Sequence, residues 1–336
     1  MKQQKPNLQK LTAQALSDSK LSELDLSKTT LGTTQLSTTQ LSTTATAEKA
    51  QANKTVTCLD RLKGRPMILQ LEGLSKNFGP DLTILKDINL GIHRREFLTV
   101  IGPSGCGKST LARILAGLET ITNGKALING EPITGPGPDR GMVFQKYTLF
   151  PWLTVKQNIM FGLTSQGRDK SQAEGEAREW IEIIGLTKFS EHYPSQLSGG
   201  MQQRVAIARS LATRPKVLLM DEPFGALDAQ TRLRMQQHLI EIWQNIDVTV
   251  VFITHDLDEA IYLADRILVL KPNPGEIQSL VDVPLPRPRL PEHLKSNAFH
   301  TLKQELAVLI HSHDQSEDVD EPLHMFRMTN VDDDAE

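Results

Sequence analysis

Residues 102–109 read Gly-Pro-Ser-Gly-Cys-Gly-Lys-Ser and directly follow the apolar run Phe97–Ile101. They match the pattern GxxxxGK[ST] in the setting that it requires, after a predicted strand and at the start of a predicted helix that begins at Lys108. Glycines let the backbone N–H groups of such a loop curl around phosphate oxygens, and the helix N-terminus adds a favourable dipole. We expect Lys108 to reach the β- and γ-phosphates of a nucleotide and Ser109 to hold Mg²⁺. The sequence thus predicts a phosphate-binding loop.

The whole loop and the residue after it are predicted to line the nucleotide site. These residues are Gly102, Pro103, Ser104, Gly105, Cys106, Gly107, Lys108, Ser109 and Thr110. A thiol lies inside the loop at Cys106, where nearby N–H groups can lower the pKa of a cysteine. The alternative is that cysteine is a small residue that fits this position, and we assign it no catalytic role.

A second element lies downstream, where the apolar run Val217–Met220 ends in the adjacent carboxylates Asp221 and Glu222. A strand that ends in this way places Asp221 beside the phosphate-binding loop, where it can help to hold Mg²⁺. Glu222 is then positioned as the general base for an attacking water, a role whose removal typically lowers the rate by about 10²–10⁴-fold. The alternative is a pair of carboxylates that caps the next turn.

Between residue 66 and about residue 283, predicted strands alternate with predicted helices. Apolar alternation marks strands at Ile68–Leu74, Leu85–Ile92, Phe97–Ile101, Lys125–Ile128, Gly141–Phe144, Val217–Met220, Val248–Ile253, Arg266–Leu270 and Ile277–Val283. Helical periodicity marks Val155–Gly162, Gln172–Ile184, Ser198–Leu211, Ala229–Gln244 and Leu257–Ala264. This alternation is typical of an α/β domain with a largely parallel core sheet.

The two ends of the chain differ in composition from this central part. Residues 1–65 are rich in Ser, Thr, Gln and Lys, with leucine at every fifth position from Leu21 to Leu41. A short β-helix would have too few stacked units to bury a core, and acidic residues weaken the alternative of a transit peptide. Composition therefore predicts a disordered extension. At the other end we expect a helix at residues 291–312 and an acidic, disordered tail at residues 313–336.

Charge and composition narrow the class of protein. The net charge of the 336 residues is −3, so no bulk basic field indicates nucleic acid as the partner. The cysteines, Cys58 and Cys106, are too few and too far apart for a disulfide framework or a zinc site. No apolar run approaches the roughly 18–20 residues that span a bilayer, and the N-terminus lacks the apolar core of a secretory signal. If the protein acts at a membrane, we expect it to act through a partner.

The string Leu197-Ser-Gly-Gly-Met-Gln-Gln-Arg204 lies between the loop and the acidic strand. Ser198, Gly199 and Gly200 begin a helix there and offer a hydroxyl and backbone N–H groups to an anion. Because the chain already has one complete phosphate-binding loop, a second anion site suggests a second nucleotide contact. The string resembles LSGGQ, the signature of the ABC ATPase family, with Met201 in the place of the usual glutamine.

The resemblance extends over a predicted domain at residues 66–290. It implies a P-loop NTPase domain of the ABC ATPase type, with a RecA-like core, an antiparallel β subdomain and a helical subdomain. It also implies that ATP and Mg²⁺ are the ligands and that two subunits form a head-to-tail dimer. In that dimer Ser198, Gly199 and Gly200 close over the ATP that the other subunit binds. Asp228 matches the segment of the family that crosses the dimer interface.

Further positions follow in the order that the family requires. Gln145 matches the glutamine that senses Mg²⁺ and faces the membrane subunit, and His255 matches the switch histidine that contacts the γ-phosphate and orients water. Phe78 matches the aromatic residue that stacks on adenine, a contact worth about 1–3 kcal/mol, and the alternative is an ordinary core residue. With the residues above, the catalytic set is Glu222, His255, Lys108 and Gln145. The Mg²⁺ set is Ser109, Gln145 and Asp221.

Residues 146–154 carry three aromatic side chains, Tyr147, Phe150 and Trp152. In the family this region receives a short helix of the permease, and large aromatic residues are enriched at binding hot spots. The resemblance therefore implies an apolar anchor for a membrane subunit. The alternative is that these side chains pack inside the helical subdomain.

Residues 135–145, 150–155 and 283–289 are similar to the nitrate/sulfonate/taurine branch of bacterial importers, whose relatives include bicarbonate systems. This similarity implies an ATPase that powers import of a small anion through a separate permease. It implies a homodimer, or a pair with a similar ATPase subunit, at the cytoplasmic face of the plasma membrane. A periplasmic solute-binding protein is then an indirect partner, and the cargo rests on analogy alone.

Two other classes remain as alternatives. A soluble ABC ATPase that acts on nucleic acid or ribosomes usually carries two nucleotide domains or a long coiled-coil insert, and neither is visible in the sequence. The ATPase of an exporter is the second alternative, and the strings at residues 150–155 and 283–289 count against it. A scaffold with inactive sites is opposed by the intact residues Lys108, Asp221, Glu222 and His255.

Overall fold

A computed structural model describes residues 61–145 and 148–311, and its strands form two sheets. The strands are β1 (Met67–Phe78), β2 (Leu82–His93), β3 (Phe97–Ile101), β4 (Asn123–Ile128), β5 (Glu131–Pro132), β6 (Arg140–Val143), β7 (Val217–Asp221), β8 (Thr249–Ile253), β9 (Arg266–Lys271) and β10 (Glu276–Asp282). The helices are α1 (Lys108–Leu115), α2 (Val155–Ser165), α3 (Lys170–Ile183), α4 (Gly199–Ala212), α5 (Ala229–Asn245), α6 (Leu257–Leu263) and α7 (Asn297–His311). Short 3₁₀ helices lie at Thr187–Phe189, Pro194–Gln196 and Pro291–Lys295. The predictions for residues 1–60, for Tyr147 and for the acidic tail fall outside the described residues.

Among the described residues, the larger sheet has six strands in the order β10-β9-β3-β8-β7-β6. They run parallel except for the edge strand β10, which is antiparallel to β9. Every residue of β3, β7 and β8 is buried, as expected where helices cover both faces of a parallel sheet. In β7, Val217 and Leu219 face a hydrophobic cluster that includes α1, whereas Leu218 and Met220 face one that includes α5. The prediction of an α/β fold with a largely parallel core is confirmed.

The smaller sheet is antiparallel, in the order β2-β1-β4-β5, as the resemblance implies. Its buried side chains share one cluster with α1, which fixes this sheet against the helix that follows the phosphate-binding loop. The apolar alternation predicts that β1 ends at Leu74, but the strand continues to Phe78 with register shifts after Leu71. Polar residues there interrupt the alternation while the backbone pairing continues. Strand β5, Glu131–Pro132, is too short to show a period, and no strand is predicted at that position.

Helices α2, α3 and α4 pack together in a third hydrophobic cluster, which corresponds to the helical subdomain. Helix α2 begins with a capping box, in which the Thr154 hydroxyl accepts the Gln157 N–H and the Gln157 side chain accepts the Thr154 N–H. Helix α4 also contacts β6 and α5. Helix α4 therefore lies between the helical subdomain and the larger sheet. In residues 61–145 and 148–311, none of the helices combines the length and the apolarity needed to cross a membrane.

The described chain starts at Arg61, inside the predicted extension, and its first residues contact the domain. Leu62 is 5% exposed. Arg61 pairs with the buried Asp265, and its guanidinium lies 4.6 Å from the ring centroid of Trp243. Contacts of the domain therefore begin before the boundary predicted at Pro66.

The C-terminal helix is interrupted where the sequence predicts one continuous helix at residues 291–312. Pro291–Lys295 is a 3₁₀ helix, Ser296 has an extended backbone, and α7 starts at Asn297. The Ser296 hydroxyl accepts the Phe299 N–H at 3.2 Å. Serine favours helix caps over helix interiors, so it ends one helix and begins the next. The side chains of α7 that pack against α6 and β9 are Phe299, Leu302 and Leu306.

Candidate nucleotide site

The loop between β3 and α1 has a backbone that requires glycine at particular points. Gly105 and Gly107 have φ values of +79° and +92°, in the left-handed region. A Cβ on Gly107 would lie 2.6 Å from Cδ2 of Leu85, so β2 packs directly against the loop. Gly107 is also the N-cap of α1, and no side chain caps this helix. The first N–H groups of α1 are therefore available to an anion.

Lys108 is buried within the curve of the loop. Its Nζ donates to the carbonyl oxygens of Gly102 and Pro103, each at 2.8 Å, and lies 3.8 Å from Sγ of Cys106. The ammonium is thus positioned where phosphate oxygens would lie. Cys106 is fully buried, and burial raises the pKa of its thiol. The thiol is therefore a packed side chain, and its pKa is not lowered overall by the N–H groups of the loop.

Ser109 and Asp221 bring two oxygen ligands together beside the loop. The Ser109 hydroxyl donates to Oδ1 of Asp221 at 3.1 Å. Burial raises the pKa of the Asp221 carboxyl, and this hydrogen bond opposes the rise. Mg²⁺ prefers oxygen ligands and is usually bound by one or two carboxylates together with substrate phosphates. The pair therefore fits Mg²⁺ that arrives with a nucleotide.

Glu222 is the point at which the chain segments after β6, β7 and β8 meet. Its φ is +45°, which is uncommon for a residue other than glycine. Its N–H donates to the Ile253 carbonyl at 3.0 Å, at the end of β8. Gln145 Nε2 donates to Oε2 of Glu222 at 3.2 Å, and Nδ1 of His255 lies 3.3 Å from the same oxygen. Such a backbone persists where the surroundings hold it, and here it aims the carboxylate at the residues that follow both neighbouring strands.

The segment that resembles the family signature lies at a different helix N-terminus. Ser198 is exposed and is the N-cap of α4, and Gly199 is the first residue of that helix. Gly200 is buried, and a Cβ there would lie 2.8 Å from Cγ2 of Thr231, in the first turn of α5. Asp228 is the N-cap of α5 and accepts the Thr231 N–H at 3.0 Å, which lowers the pKa of its carboxyl. Thr231 thus connects the signature segment to Asp228.

Phe78 lies at the end of β1 with 45% of its surface exposed, so the alternative of an ordinary core residue is wrong. Nζ of Lys76 lies 4.7 Å from the centroid of the Phe78 ring, and the same Nζ is 2.6 Å from Oε1 of Glu119. The ring is therefore a surface platform held by a buried cation. Lys76 is not among the predicted site residues, because its contact with Glu119 joins residues far apart in sequence.

An exposed aromatic patch lies beside α2. Trp152 is 69% exposed and Phe161 is 48% exposed, whereas Phe150 between them is half-buried. The ring centroid of Phe150 lies 5.7 Å from that of Trp152 and 4.6 Å from that of Phe161. Arg209 of α4 covers the Phe150 ring at 5.2 Å. We call Phe150, Trp152 and Phe161 the aromatic patch; the sequence predicts its first two members and does not predict Phe161.

Thr254, Asp256 and Glu259, which lie close to His255 in the chain, form hydrogen bonds that are not among the predictions from the sequence. Asp256 and Glu259 have the spacing of a capping box, and Asp256 is indeed the N-cap of α6. The Glu259 side chain does not return to the N-cap, however. It accepts hydrogen bonds from Thr254 and from Gln236 of α5.

Comparison with known proteins identifies the family. Residues 85–225 match the family described as ABC transporter. The chain is 52% identical over 221 residues to the nitrate import ATP-binding protein of Synechocystis sp., in an alignment that spans 66% of this chain and 82% of that protein. It is 47% identical over 226 residues to an aliphatic sulfonates import ATP-binding protein of Bacillus cereus, spanning 66% and 89%. A solved dimeric ATP-binding cassette bound to ADP and Pi matches with a TM-score of 0.57 and 34% identity, spanning 64% of this chain and 99% of that one. The chain therefore has the ABC ATPase fold and belongs to the ABC transporter family.

Proposed function

We propose that the chain is the ATP-hydrolysing subunit of an ABC importer whose cargo is a small anion of the nitrate, sulfonate, taurine or bicarbonate class. One observation carries the assignment of ATP hydrolysis. Gln145 and His255 meet at one oxygen of Glu222, beside the Ser109–Asp221 pair. The relatives named for nitrate import and for sulfonate import support the cargo class.

ATP binds with its phosphates in the loop at residues 102–109. The N–H groups at the start of α1 and the Lys108 ammonium contact the phosphate oxygens, which replace the loop carbonyls as partners of Nζ. The Phe78 ring stacks on adenine. Ser109, Gln145 and Asp221 hold Mg²⁺, which when bound supplies positive charge opposite the phosphates.

Hydrolysis uses Glu222 as the general base. The carboxylate accepts a proton from the attacking water, while Gln145 and His255 hold its Oε2 from two sides. His255 also contacts the γ-phosphate from its exposed position. Phosphoryl transfer of this type depends chiefly on positioning and electrostatics. A carboxylate that is fixed by the backbone and by two side chains suits that requirement.

Two copies of the chain, or this chain and a similar subunit, form a head-to-tail dimer. Ser198, Gly199 and Gly200 at the start of α4 cap the nucleotide that the partner subunit holds in its own loop, and Asp228 crosses the interface. The exposed N-terminus of α4 supports this arrangement because helix N-termini bind anions. The dimeric state of the similar cassette bound to ADP and Pi supports it as well.

The aromatic patch is the surface that receives the permease. Trp152 and Phe161 are exposed, and Phe150 supports them from below. Buried aromatic anchors dominate many interfaces, so this patch suits a short apolar helix from a membrane subunit. The chain then works at the cytoplasmic face of the membrane, and a periplasmic binding protein delivers the anion to the permease.

The test of the ATPase assignment is a comparison of purified wild-type protein with Glu222→Gln. Removal of a general base typically lowers the rate by about 10²–10⁴-fold, so kcat should fall by that order while the Kd for Mg-ATP stays unchanged. Glu241→Gln, at an exposed carboxylate of α5, is the matched control and should hydrolyse normally. Near-normal hydrolysis by Glu222→Gln would refute the role of Glu222.

The importer part is tested by capture of partners from native membranes. Tagged Glu222→Gln protein, loaded with Mg-ATP, should co-purify with a multi-span permease and an anion-binding protein. The captured binding protein is then titrated with nitrate, taurine and bicarbonate, and binding of one of these identifies the cargo. Recovery of ribosomal or DNA-associated proteins without a permease would contradict import and leave the ATPase chemistry in place.

A further inference from the structure

The switch loop, which we define as residues 254–256, is fixed by the hydroxyl of a buried threonine. Thr254 is 2% exposed, and its N–H donates to the Val100 carbonyl of β3 at 3.2 Å. Its hydroxyl accepts the Asp256 N–H at 3.0 Å and donates its own proton to Oε2 of Glu259. The hydroxyl thus makes two hydrogen bonds, and both of its partners follow Thr254 in the chain. His255 lies between Thr254 and Asp256, so its backbone is held on both sides.

Glu259 is a buried carboxylate with a neutral donor at each oxygen. It is 4% exposed, and its Oε1 accepts the side-chain N–H of Gln236 at 3.0 Å. Burial raises the pKa of this carboxyl, and the hydrogen bonds from Thr254 and Gln236 oppose the rise. A buried polar group of this kind is tolerated because its hydrogen bonds are satisfied. An apolar residue could fill this position without needing hydrogen-bond partners. The presence of a carboxylate therefore indicates that Thr254 and Gln236 need an acceptor there.

Helix α5 reaches the switch loop at a second point. Nη1 of Arg232 lies 3.2 Å from Oδ2 of Asp256, and its Nη2 donates to the Leu227 carbonyl at 3.1 Å. Leu227 directly precedes Asp228, the N-cap of α5. Arg232 and Gln236 are four residues apart and so lie on one face of the helix. That face connects the start of α5 to both ends of the switch loop.

We infer that Glu259 is a positioning residue for His255, and that Arg232 and Gln236 connect this position to the segment before α5. The inference rests on the proposed function, since the catalytic role of His255 belongs to it. The Glu259 carboxylate fixes the Thr254 hydroxyl, the hydroxyl fixes the Asp256 N–H, and His255 is thereby kept with its Nδ1 3.3 Å from Glu222. Thr231 of α5 packs against Gly200, so the helix that carries Arg232 and Gln236 also contacts the signature segment.

Four single variants of the chain, and one of them again in a His255→Ala background, test the inference. Glu259→Gln keeps the shape of the side chain and removes one acceptor, and Thr254→Val removes the hydroxyl. Thr254→Ser retains the hydroxyl and is the conservative rescue. Asp258→Asn changes the neighbouring carboxylate of α6, which is exposed and pairs with Lys303, and is the matched control. For each variant kcat, the Kd for Mg-ATP and the melting temperature are measured.

We expect kcat to fall at least about tenfold in Glu259→Gln and Thr254→Val, because a misplacement of about 1 Å can lower a rate by about 10²-fold. The Kd for Mg-ATP should stay within about twofold, since neither residue touches the nucleotide in the proposed complex. Thr254→Ser and Asp258→Asn should keep kcat within about twofold, a change that corresponds to roughly 0.4 kcal/mol. In the His255→Ala background, Glu259→Gln should have almost no further effect on the residual rate, because residues that act as a unit are not additive.

Three results would overturn the inference. The first is an unchanged kcat in both Glu259→Gln and Thr254→Val. The second is an equal loss in the presence and absence of His255, and the third is a loss of nucleotide affinity together with kcat. The second and third would indicate a purely structural role. A wild-type protein without ATPase activity would instead contradict the proposed function.

Discussion

The phosphate-binding loop (residues 102–109) and the signature segment (residues 198–200) both lie at a helix N-terminus. They differ in how many of their polar side chains have partners elsewhere in the chain. In the loop, Lys108 and Ser109 have partners within the chain, namely the loop carbonyls and Asp221. In the signature segment, Ser198 is exposed and contacts its own helix, and Gly199 is half-buried. Both regions present backbone N–H groups to an anion, but among the described residues the side chains that we propose as catalytic lie beside the first.

This difference agrees with our proposal that one chain holds one half of each of two sites. The loop belongs with Asp221, Glu222 and His255, which lie at the ends of neighbouring strands. The signature segment is connected to that group only indirectly, through Thr231 and the start of α5. In the proposed dimer, the half of a site that a partner completes is an exposed helix start, as at Ser198.

The largest effect is expected from breaking each half separately and then mixing the variants. Lys108→Ala removes the ammonium from the loop, and Gly199→Asp places a carboxylate at the signature N-terminus. An acidic residue suits the first turn of a helix, so the second variant should fold, but its charge repels a phosphate. Each variant alone should lose ATP hydrolysis by about 10²-fold or more. A one-to-one mixture should recover hydrolysis, because a mixed dimer contains one site with both halves intact.

The control for this experiment is a mixture of Lys108→Ala with Gly199→Asp/Lys108→Ala, which has no complete site in any dimer. It should stay inactive in the same steady-state phosphate-release assay. If the first mixture also stays inactive while both variants bind each other, the loop and the signature segment of one chain act on the same nucleotide, and the comparison between the two regions fails.

In our proposal the aromatic patch is a second region that a partner completes, and the effect expected from breaking it is smaller. Truncation of a hot-spot residue costs about 2 kcal/mol or more, which corresponds to about 30-fold in affinity. Trp152→Ala should therefore weaken co-purification with the permease by that order and leave basal ATP hydrolysis within about twofold. Leu118→Ala, another exposed apolar side chain, is the control. Unchanged recruitment of the permease by Trp152→Ala would show that the patch serves another surface.

Phe78 is an exposed ring whose proposed partner is the adenine of the nucleotide and not another protein. Stacking on a base is worth about 1–3 kcal/mol, so Phe78→Ala should raise the Kd for ATP by about tenfold. The Kd for inorganic triphosphate should not change, because that ligand has no base. Titration with both ligands separates loss of stacking from damage to the phosphate-binding loop. An equal loss for both ligands would contradict stacking.

The fold and the phosphate-binding loop are the parts that the sequence predicts well, because their signals are local. The loop is eight consecutive residues. The buried strands are short apolar runs such as Val217–Met220, a pattern typical of strands that are covered on both faces. The meeting of Gln145 with Glu222 follows from the order of parallel strands, whose carboxyl ends share one edge of a sheet. The break before α7 also has a local cause, the cap at Ser296. It is not predicted from the sequence because serine also occurs inside continuous helices.

Contacts between distant parts of the chain are what the sequence leaves undetermined. Phe161 joins the aromatic patch because α2 places it over Phe150, and its exposure is a consequence of packing, not of composition. The inward turn of Glu259 depends on Gln236, from a different helix. The cation below Phe78 is held by Glu119, which lies after α1 and has no motif of its own.

That cation leads to the smallest and most specific expected effect. Lys76 is buried and lies over one face of the Phe78 ring, while Glu119 binds its Nζ, and this contact lowers the pKa of the Glu119 carboxyl. A cation over an aromatic face contributes about 0.5–1 kcal/mol at an exposed site. Lys76→Met keeps the length of the side chain and removes the charge, so it should raise the Kd for ATP by about two- to fivefold. Lys86→Met, at an exposed lysine of β2, should have no effect.

If Lys76 acts by holding the ring, it must lose its influence when the ring is absent, so Lys76→Met in the Phe78→Ala background should leave the Kd for ATP unchanged. A further loss of ATP affinity in that background would mean that Lys76 contacts the nucleotide directly and does not act through the Phe78 ring.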